Sequence, residues 1–418
     1  MKDHHRKNSA SVTILGNVAL ILLGFGIALG LAEMLMRAFP NWVPPLVRVN
    51  PPARRVKAFI DETYDLRKSD GDLFHHMLGN IVPLSPDQDQ VVAQVHMVTD
   101  ANGFRNSPPE KNTYGIVALG DSFTRASGVA APWPQKLAEY TGMDVLNLAD
   151  VGFGPQDELN VLRQYGLKKK PAWVIMAYFE GNDLYDAGSY EQANPFISLR
   201  FGRYILDQSI ESWRERKSGG ARTEVVPNYR YPITITINGN ELEMVFFPSY
   251  ISWLSLSREE IAESQNYQLV QETILEVQKL STATGANFLL VYMPSKSHVY
   301  LPHLNDPEVT ARIFVKVQGI EQDNAGFLQF TNNSVTPELI RQHIDNQSIL
   351  LAGFTAKQNI SFLDLTPTFQ KVAGEGAELY YPYDTHWNQL GHDLASETIY
   401  NYLKERHPAT EQDPGYSK

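Results

Sequence analysis

The chain has 418 residues, 43% of them hydrophobic, a formal charge of −11 and no cysteine. That length and apolar content can build a sizeable core, as one large α/β domain with insertions or one domain with a smaller lobe. The acidic balance argues against a nucleic-acid partner, which needs a basic face. The lack of cysteine excludes disulfides, thiolate nucleophiles and Cys-ligated metals.

Val12 to Leu31 (VTILGNVALILLGFGIALGL) carries no charge. About 20 such residues at 1.5 Å rise cover the roughly 30 Å hydrocarbon core of a bilayer, so residues 12–31 read as a transmembrane helix. Lys2, Arg6 and Lys7 lie in the short leader 1–11 and favour a cytoplasmic N-terminus with the rest of the chain periplasmic or extracellular. Arg37, Arg48, Arg54, Arg55 and Lys57 oppose that orientation, but long following domains translocate largely regardless of charge. A cleaved signal peptide ending near Ala28-Leu29-Gly30 is the competing reading, and the apolar run is long for one.

Pro40 to Pro52 (PNWVPPLVRVNPP) reads as an extended linker, and residues 32–109 as linker and N-terminal extension. Asp100 to Arg105 (DANGFR) reads as a turn ahead of the first core strand. A strand–helix alternation follows: strand Tyr114–Leu119, helix from Pro134, strand Asp144–Leu148, helix Gln156–Leu167, and the apolar strand Ala172–Phe179. Such alternation predicts right-handed βαβ units and a parallel sheet buried on both faces.

Residues 185–265 break the rhythm and read as an insertion. Pro195–Lys217 holds a candidate amphipathic helix, and Asn238-Gly239 is a hairpin turn between Ile233–Thr236 and Leu242–Phe247. The alternation resumes with helix Tyr267–Thr282, strand Asn287–Met293, helices near 306–317 and 336–357, strand Ser361–Leu365 and a last helix Asn388–Arg406. Residues 110–406 are thus one α/β domain, followed by a tail at 407–418.

Three turns carry the chemistry. Gly120-Asp121-Ser122 ends the first strand of the alternation, Asp150-Val151-Gly152 the second and Gly181-Asn182-Asp183 the third. Ser122, Gly152 and Asn182 are evenly spaced, about one βα unit of roughly 30 residues apart. All three therefore fall at the carboxyl edge of neighbouring parallel strands, where open α/β sheets bind ligands. Ser122 is the candidate nucleophile. The N–H groups of Ser122 and Gly152 and the Asn182 amide form a three-donor oxyanion hole. Near the C-terminus Tyr383-Asp384-Thr385-His386-Trp387 supplies a base, His386, and an orienting carboxylate, Asp384. Each tripeptide alone is an ordinary turn or helix cap; their order and strand-end placement are what point to a site.

Together these residues resemble the SGNH (GDSL-type) hydrolase superfamily, with Ser122, Gly152, Asn182 and His386 matching its first, second, third and fifth blocks over residues 110–405. The resemblance implies a flavodoxin-like three-layer α/β/α domain and a Ser-His-Asp triad acting on ester bonds, without cofactor. One departure is informative. The common fifth block has Asp three residues before His, where this chain has Tyr383; Asp384 sits two before His386. That step is similar to the membrane-associated branch that includes alginate-type polysaccharide O-acetyltransferases, as is Pro294 to Tyr300 (PSKSHVY).

The expected function is a membrane-anchored serine esterase or deacylase. O-acetyl transfer to a cell-envelope or exported polysaccharide through the same triad is the alternative, with an acyl-donor membrane protein as an expected partner. A non-catalytic envelope-assembly module is the third reading. A groove lined by aromatics such as Trp387, Tyr178 and Tyr185 would favour a sugar acceptor. No metal site is expected, because His4-His5 and His75-His76 are adjacent pairs and His386 and His392 are poorly spaced. His392 reads as structural, Asp364 as a cap that competes for the triad acid, and Lys296 as a solvated surface lysine.

Overall fold

In the computed structural model, which describes residues 3–39, 42–43, 60–67, 91–189, 196–199, 201–202, 205–206, 209, 233–314, 335–382 and 384–406, the chain divides into two compact units. One comprises Met1–Pro52 with Glu191–Ala221, the other Ala53–Tyr190 with Arg222–Lys418. Several expected features lie outside the described residues: most of the 40–52 linker, His75-His76, Tyr383, the tail 407–418, residues 315–317, and much of the helix expected over 195–217.

The first unit contains one continuous helix, Asp3–Ala38, which extends past both ends of the uncharged run. Leu20–Ala38 has a mean hydropathy of 1.8, and among the described residues this is the one helix long and apolar enough to cross a membrane. Its large apolar side chains, Leu20 to Phe25, Ile27 and Leu31 among them, face outward. Arg37 Nε pairs with Glu33 Oε1 at 2.7 Å, one helical turn apart.

The second unit is built on strands β1 (Asp61–Arg67), β2 (Val91–Val98), β3 (Ile116–Leu119), β4 (Val145–Asn147), β5 (Trp173–Phe179), β6 (Ile233–Ile237), β7 (Asn240–Met244), β8 (Asn287–Met293) and β9 (Ser361–Asp364). Five of them form a parallel sheet in the order β4-β3-β5-β8-β9. Counted along the chain, this is the 2-1-3-4-5 order of flavodoxin-like folds, with its switch point at β3. Parallel strands covered by helices on both faces read as near-continuous apolar runs, and every residue of β3 and β5 is buried.

On one face Ile116, Ala118, Ile175, Ala177, Leu289 and Val291 share a core with Trp133 and Leu137 of helix Trp133–Thr141, and with Ile399 and Leu403 of helix Gln389–Arg406. Helix Gln265–Ala283 packs on β8 and against helices Pro155–Val161 and Asp183–Ser189. The expected helix 156–167 ends early: it passes at Leu162–Gly166 into a wider π turn and then a 3-10 turn. The foreseen hairpin β6–β7 turns at Asn238 and Gly239, both with positive φ, as a type I′ turn requires. Its inward residues Ile233, Ile235, Ile237, Leu242 and Met244 join the same core.

The antiparallel pair β1–β2 is an addition to the expected elements. Leu66 and Val95 on this pair pack with Ala126, Val129 and Tyr381, and Tyr64 OH donates to the Ser127 carbonyl. The pair thus braces the loop that follows Ser122.

Candidate active site

Strand β3 delivers Ser122 to the sheet edge through a cramped turn. A Cβ on Gly120 would lie 2.2 Å from Thr124 Oγ1, so only glycine lets the chain turn here. Asp121 caps the short helix Ser122–Arg125, its Oδ1 accepting the Phe123 N–H at 2.9 Å. As the first helical residue, Ser122 has an N–H with no acceptor inside the helix.

The loop after helix Ser122–Arg125 is pinned from several sides. The Arg105 guanidinium donates to the carbonyls of Arg125, Ala126, Val129 and Ala130. Tyr381 OH donates to the Gly128 carbonyl at 2.5 Å. Arg125 forms a buried ion pair with Asp150, which ties the turn after β4 to the helix of Ser122.

His386 comes from the far end of the chain. Its Nε2 lies 2.8 Å from Ser122 Oγ, across 264 residues of sequence. Its Nδ1 lies 2.5 Å from Asp384 Oδ1, which also accepts the His386 backbone N–H at 2.8 Å. The set is satisfied when Nδ1–H donates to Asp384 and Nε2 accepts the Ser122 hydroxyl. Burial alone would raise the Asp384 carboxyl; the charge and hydrogen bonds of His386, with Lys296 behind them, reverse this and hold it at about 2. The imidazole rests on Phe123, with ring centroids 4.6 Å apart, and Phe123 stacks on Phe179 at 3.9 Å.

The loop carrying Asp384 and His386 is closed by a bridge between Tyr380 and Trp387 and by the Tyr381 N–H donating to the His386 carbonyl at 3.0 Å. Lys296 sits beneath it. It is 2% exposed, not a solvated surface residue as expected. Its Nζ donates to the carbonyls of Val245 at 3.0 Å and Tyr381 at 2.6 Å, and to that of Asp384. Burial pushes the amine down to about 7, against the charges of Asp384 and Glu378. Lys296 stands just past the carboxyl end of β8, on the sheet edge that carries Ser122 and Asn182; that position is the sequence signal for it.

Asn182 lies in the turn after β5. Its side chain approaches Asp121: burial raises that carboxyl to about 6, while the Phe123 N–H, the His386 charge and the Asn182 amide work against the rise. Two neighbouring carboxyls are pushed well up, mainly by burial: Glu158 also by the charges of Asp121 and Asp157, and Asp183 also by those of Glu158 and Asp121. Gly152 has a positive φ of 71°, with open space where a Cβ would stand. The structure therefore joins Ser122, His386 and Asp384 by direct contact and Asn182 through Asp121. Among the described residues no hydrogen bond links Gly152 to the other four.

Other expectations resolve individually. Asp364 Oδ1 accepts the Thr366 N–H at 2.8 Å, a cap. His392 is buried in the last helix with its ring edge-on to Trp387, and burial keeps it neutral, at about 3. Trp387 and Tyr178 are fully buried, so neither lines an open sugar groove; Tyr185 is half-buried. No group of three or more His, Cys, Asp or Glu among the described residues is arranged to hold a metal ion.

Behind the site runs a network that the sequence did not signal. Glu180 accepts from the Ser295 N–H at 2.6 Å, from Tyr292 OH and from His298 Nδ1 at 2.7 Å, while His298 Nε2 meets Asp345 at 3.0 Å. Burial opposes a charge on His298, but Glu180 and Asp345 overcome it and hold the imidazolium up to about 10.

Residues 340–417 match the family model of the SGNH hydrolase-like domain of acetyltransferase AlgX. The matched stretch contains Asp384 and His386, and the resemblance drawn from the motifs is borne out by it. Solved structures with similar folds include a lipase/acylhydrolase from Enterococcus faecalis, at 14% identity, covering 70% of this chain and 96% of that one, TM-score 0.32. An acetylxylan esterase from Geobacillus stearothermophilus is 12% identical, with 68% and 92% coverage and a TM-score of 0.33. A carbohydrate esterase family 2 enzyme from Corynascus thermopiles is 12% identical, with 76% and 72% coverage and a TM-score of 0.32. None of these identities carries a substrate across. No curated protein matches the chain in sequence. The sheet order is flavodoxin-like, and the stretch 340–417 is similar to an SGNH hydrolase-like acetyltransferase domain.

Proposed function

We propose that this chain is a membrane-anchored serine esterase of the SGNH type that works through an acyl-enzyme on Ser122. The observation that carries the reading is the hydrogen-bonded series Ser122 Oγ, His386 and Asp384 at 2.8 and 2.5 Å. In the first step Ser122 Oγ attacks the ester carbonyl as His386 Nε2 takes its proton, and Asp384 stabilises the imidazolium. Negative charge then gathers on the former carbonyl oxygen. The Ser122 N–H, the Gly152 N–H and the Asn182 amide are the donors assigned to it. His386 returns the proton to the leaving alcohol, and water, activated by the same imidazole, releases the acid. Residues 12–31 hold the enzyme in the membrane with the α/β domain outside the cytoplasm.

A second reading, O-acetyl transfer to an exported or cell-envelope glycan, is favoured by the match of residues 340–417 to the AlgX acetyltransferase domain and by the Asp-x-His step. It uses the same acyl-enzyme, with a sugar hydroxyl in place of water. Hydrolysis of p-nitrophenyl acetate by the full chain in detergent, compared with Ser122→Ala, tests the shared chemistry. Equal rates in both proteins would rule it out for acetyl esters. Acetylated sugar detected by mass spectrometry on adding an oligosaccharide would then select transfer over hydrolysis.

A further inference from the structure

The segment around residues 196–209 belongs to the same compact unit as the apolar helix. The Ser198 N–H donates to Glu33 Oε2 at 2.8 Å, while the other oxygen of Glu33 pairs with Arg37. Glu33 stands two residues beyond Leu31, where the uncharged run ends, about 3 Å further along the helix axis at 1.5 Å per residue. A bilayer's polar layer is roughly 5–8 Å deep on each side of its hydrocarbon core. With 12–31 spanning the core, this hydrogen bond fixes Ser198 at the depth of the lipid headgroups.

The segment turns its large apolar side chains outward. Phe196, Leu199, Ile205 and Leu206 are 52%, 41%, 47% and 58% exposed, while Ser198 between them is turned in and buried. Ser209 Oγ donates to the Ile205 carbonyl at 2.7 Å, a bond across one helical turn. Apolar side chains open beside the end of a bilayer-length helix are covered by the boundary between headgroups and acyl chains, where interfacial helices seat their apolar side. We infer that the segment of Phe196, Leu199, Ile205 and Leu206 makes a second membrane contact, at the outer-leaflet interface beside the end of the anchor. The inference rests on reading 12–31 as membrane-spanning.

The absence of cysteine makes a direct test available. Full-length variants Leu199→Cys and Leu206→Cys would carry an environment-sensitive fluorophore in phosphatidylcholine–phosphatidylglycerol vesicles containing lipid with a nitroxide either near the headgroup or deep in the acyl chain. Phe25→Cys serves as the membrane reference and Lys279→Cys, on an exposed helix position, as the solvent reference. The expected result is quenching of the labels at 199 and 206 by the shallow nitroxide, with loss of the iodide quenching seen at 279. Iodide quenching equal to that at 279 would overturn the contact. So would protection from iodide without nitroxide quenching, since a protein surface would then be the cover. If the label at 25 escapes the deep nitroxide, the spanning helix fails, and the contact with it.

Discussion

The buried amine of Lys296 donates to the backbone carbonyl of Asp384, the residue whose carboxylate holds His386. An ammonium has three N–H donors and no acceptor, and the carbonyls of Val245, Tyr381 and Asp384 give it three partners. Lys296 thus fixes the loop between Tyr381 and His386 from below, and its charge helps to keep Asp384 ionised.

Lys296→Met should therefore damage both stability and rate. Each carbonyl left without a partner in a dry site costs about 1–3 kcal/mol, so the melting temperature should drop. The surviving folded enzyme should show a lower kcat with KM nearly unchanged, because the loop and not the substrate contact has loosened. A kcat equal to that of the wild type, measured on the folded fraction, would mean that the clamp has no bearing on the triad.

Asp384→Asn tests the carboxylate alone. The side chain keeps its shape but no longer fixes the Nδ1–H tautomer, and in triads of this kind the loss is about 10⁴-fold in kcat. Because Asp384 is held at about 2, it stays ionised at any pH at which the enzyme would be assayed. The size of the Asp384→Asn defect should therefore not change with the pH of the assay. Steady-state kinetics over a pH series checks this.

Asn182→Ala removes one proposed oxyanion donor. The expected loss is about 10²- to 10³-fold in kcat, with little change in melting temperature, since the side chain is only partly buried. A loss confined to KM would place Asn182 in ground-state binding instead.

The Glu180–His298–Asp345 network makes a prediction about pH. His298 is held charged up to about 10, against 6.5 for a free imidazole, so the folded chain binds the extra proton between those values. Its stabilisation is complete below about 6.5 and is lost as pH rises toward about 10. Melting temperatures at about pH 6 and about pH 9 should differ more for the wild type than for His298→Gln. Equal differences would mean that the imidazole is not charged in the folded chain.

The outline of the fold was legible because its signals are local. Strand β8 falls on the expected residues, since the six-residue apolar run Phe288–Met293, between Gly-Ala-Asn and Pro, is too short for most helices. The turns at Ser122 and Asn182 stood out because strand-end residues share one edge of the sheet, and His386 because Asp384-Thr385-His386 stands just ahead of the last helix. Lys296 was misread because a lysine between two serines looks solvated; only the convergence of β7's end, the 381–384 loop and β8 buries it. The pair β1–β2 was missed because its residues, Asp-Glu-Thr-Tyr-Asp-Leu-Arg on one side, are mostly polar and face one partner strand distant in sequence. Burial of Trp387 and Tyr178 was likewise hidden: an aromatic residue in a motif gives no sign of which way its ring faces.

An acyl-enzyme on Ser122 can be trapped and weighed. Full-length protein mixed with p-nitrophenyl acetate and quenched in acid within the first turnover would be digested and its peptides weighed. The expected result is a burst of p-nitrophenol equal to the enzyme present, with an acetyl group on the peptide containing Ser122 and none in Ser122→Ala. Turnover without a burst, no acetyl on that peptide and an undiminished rate in Ser122→Ala would contradict it.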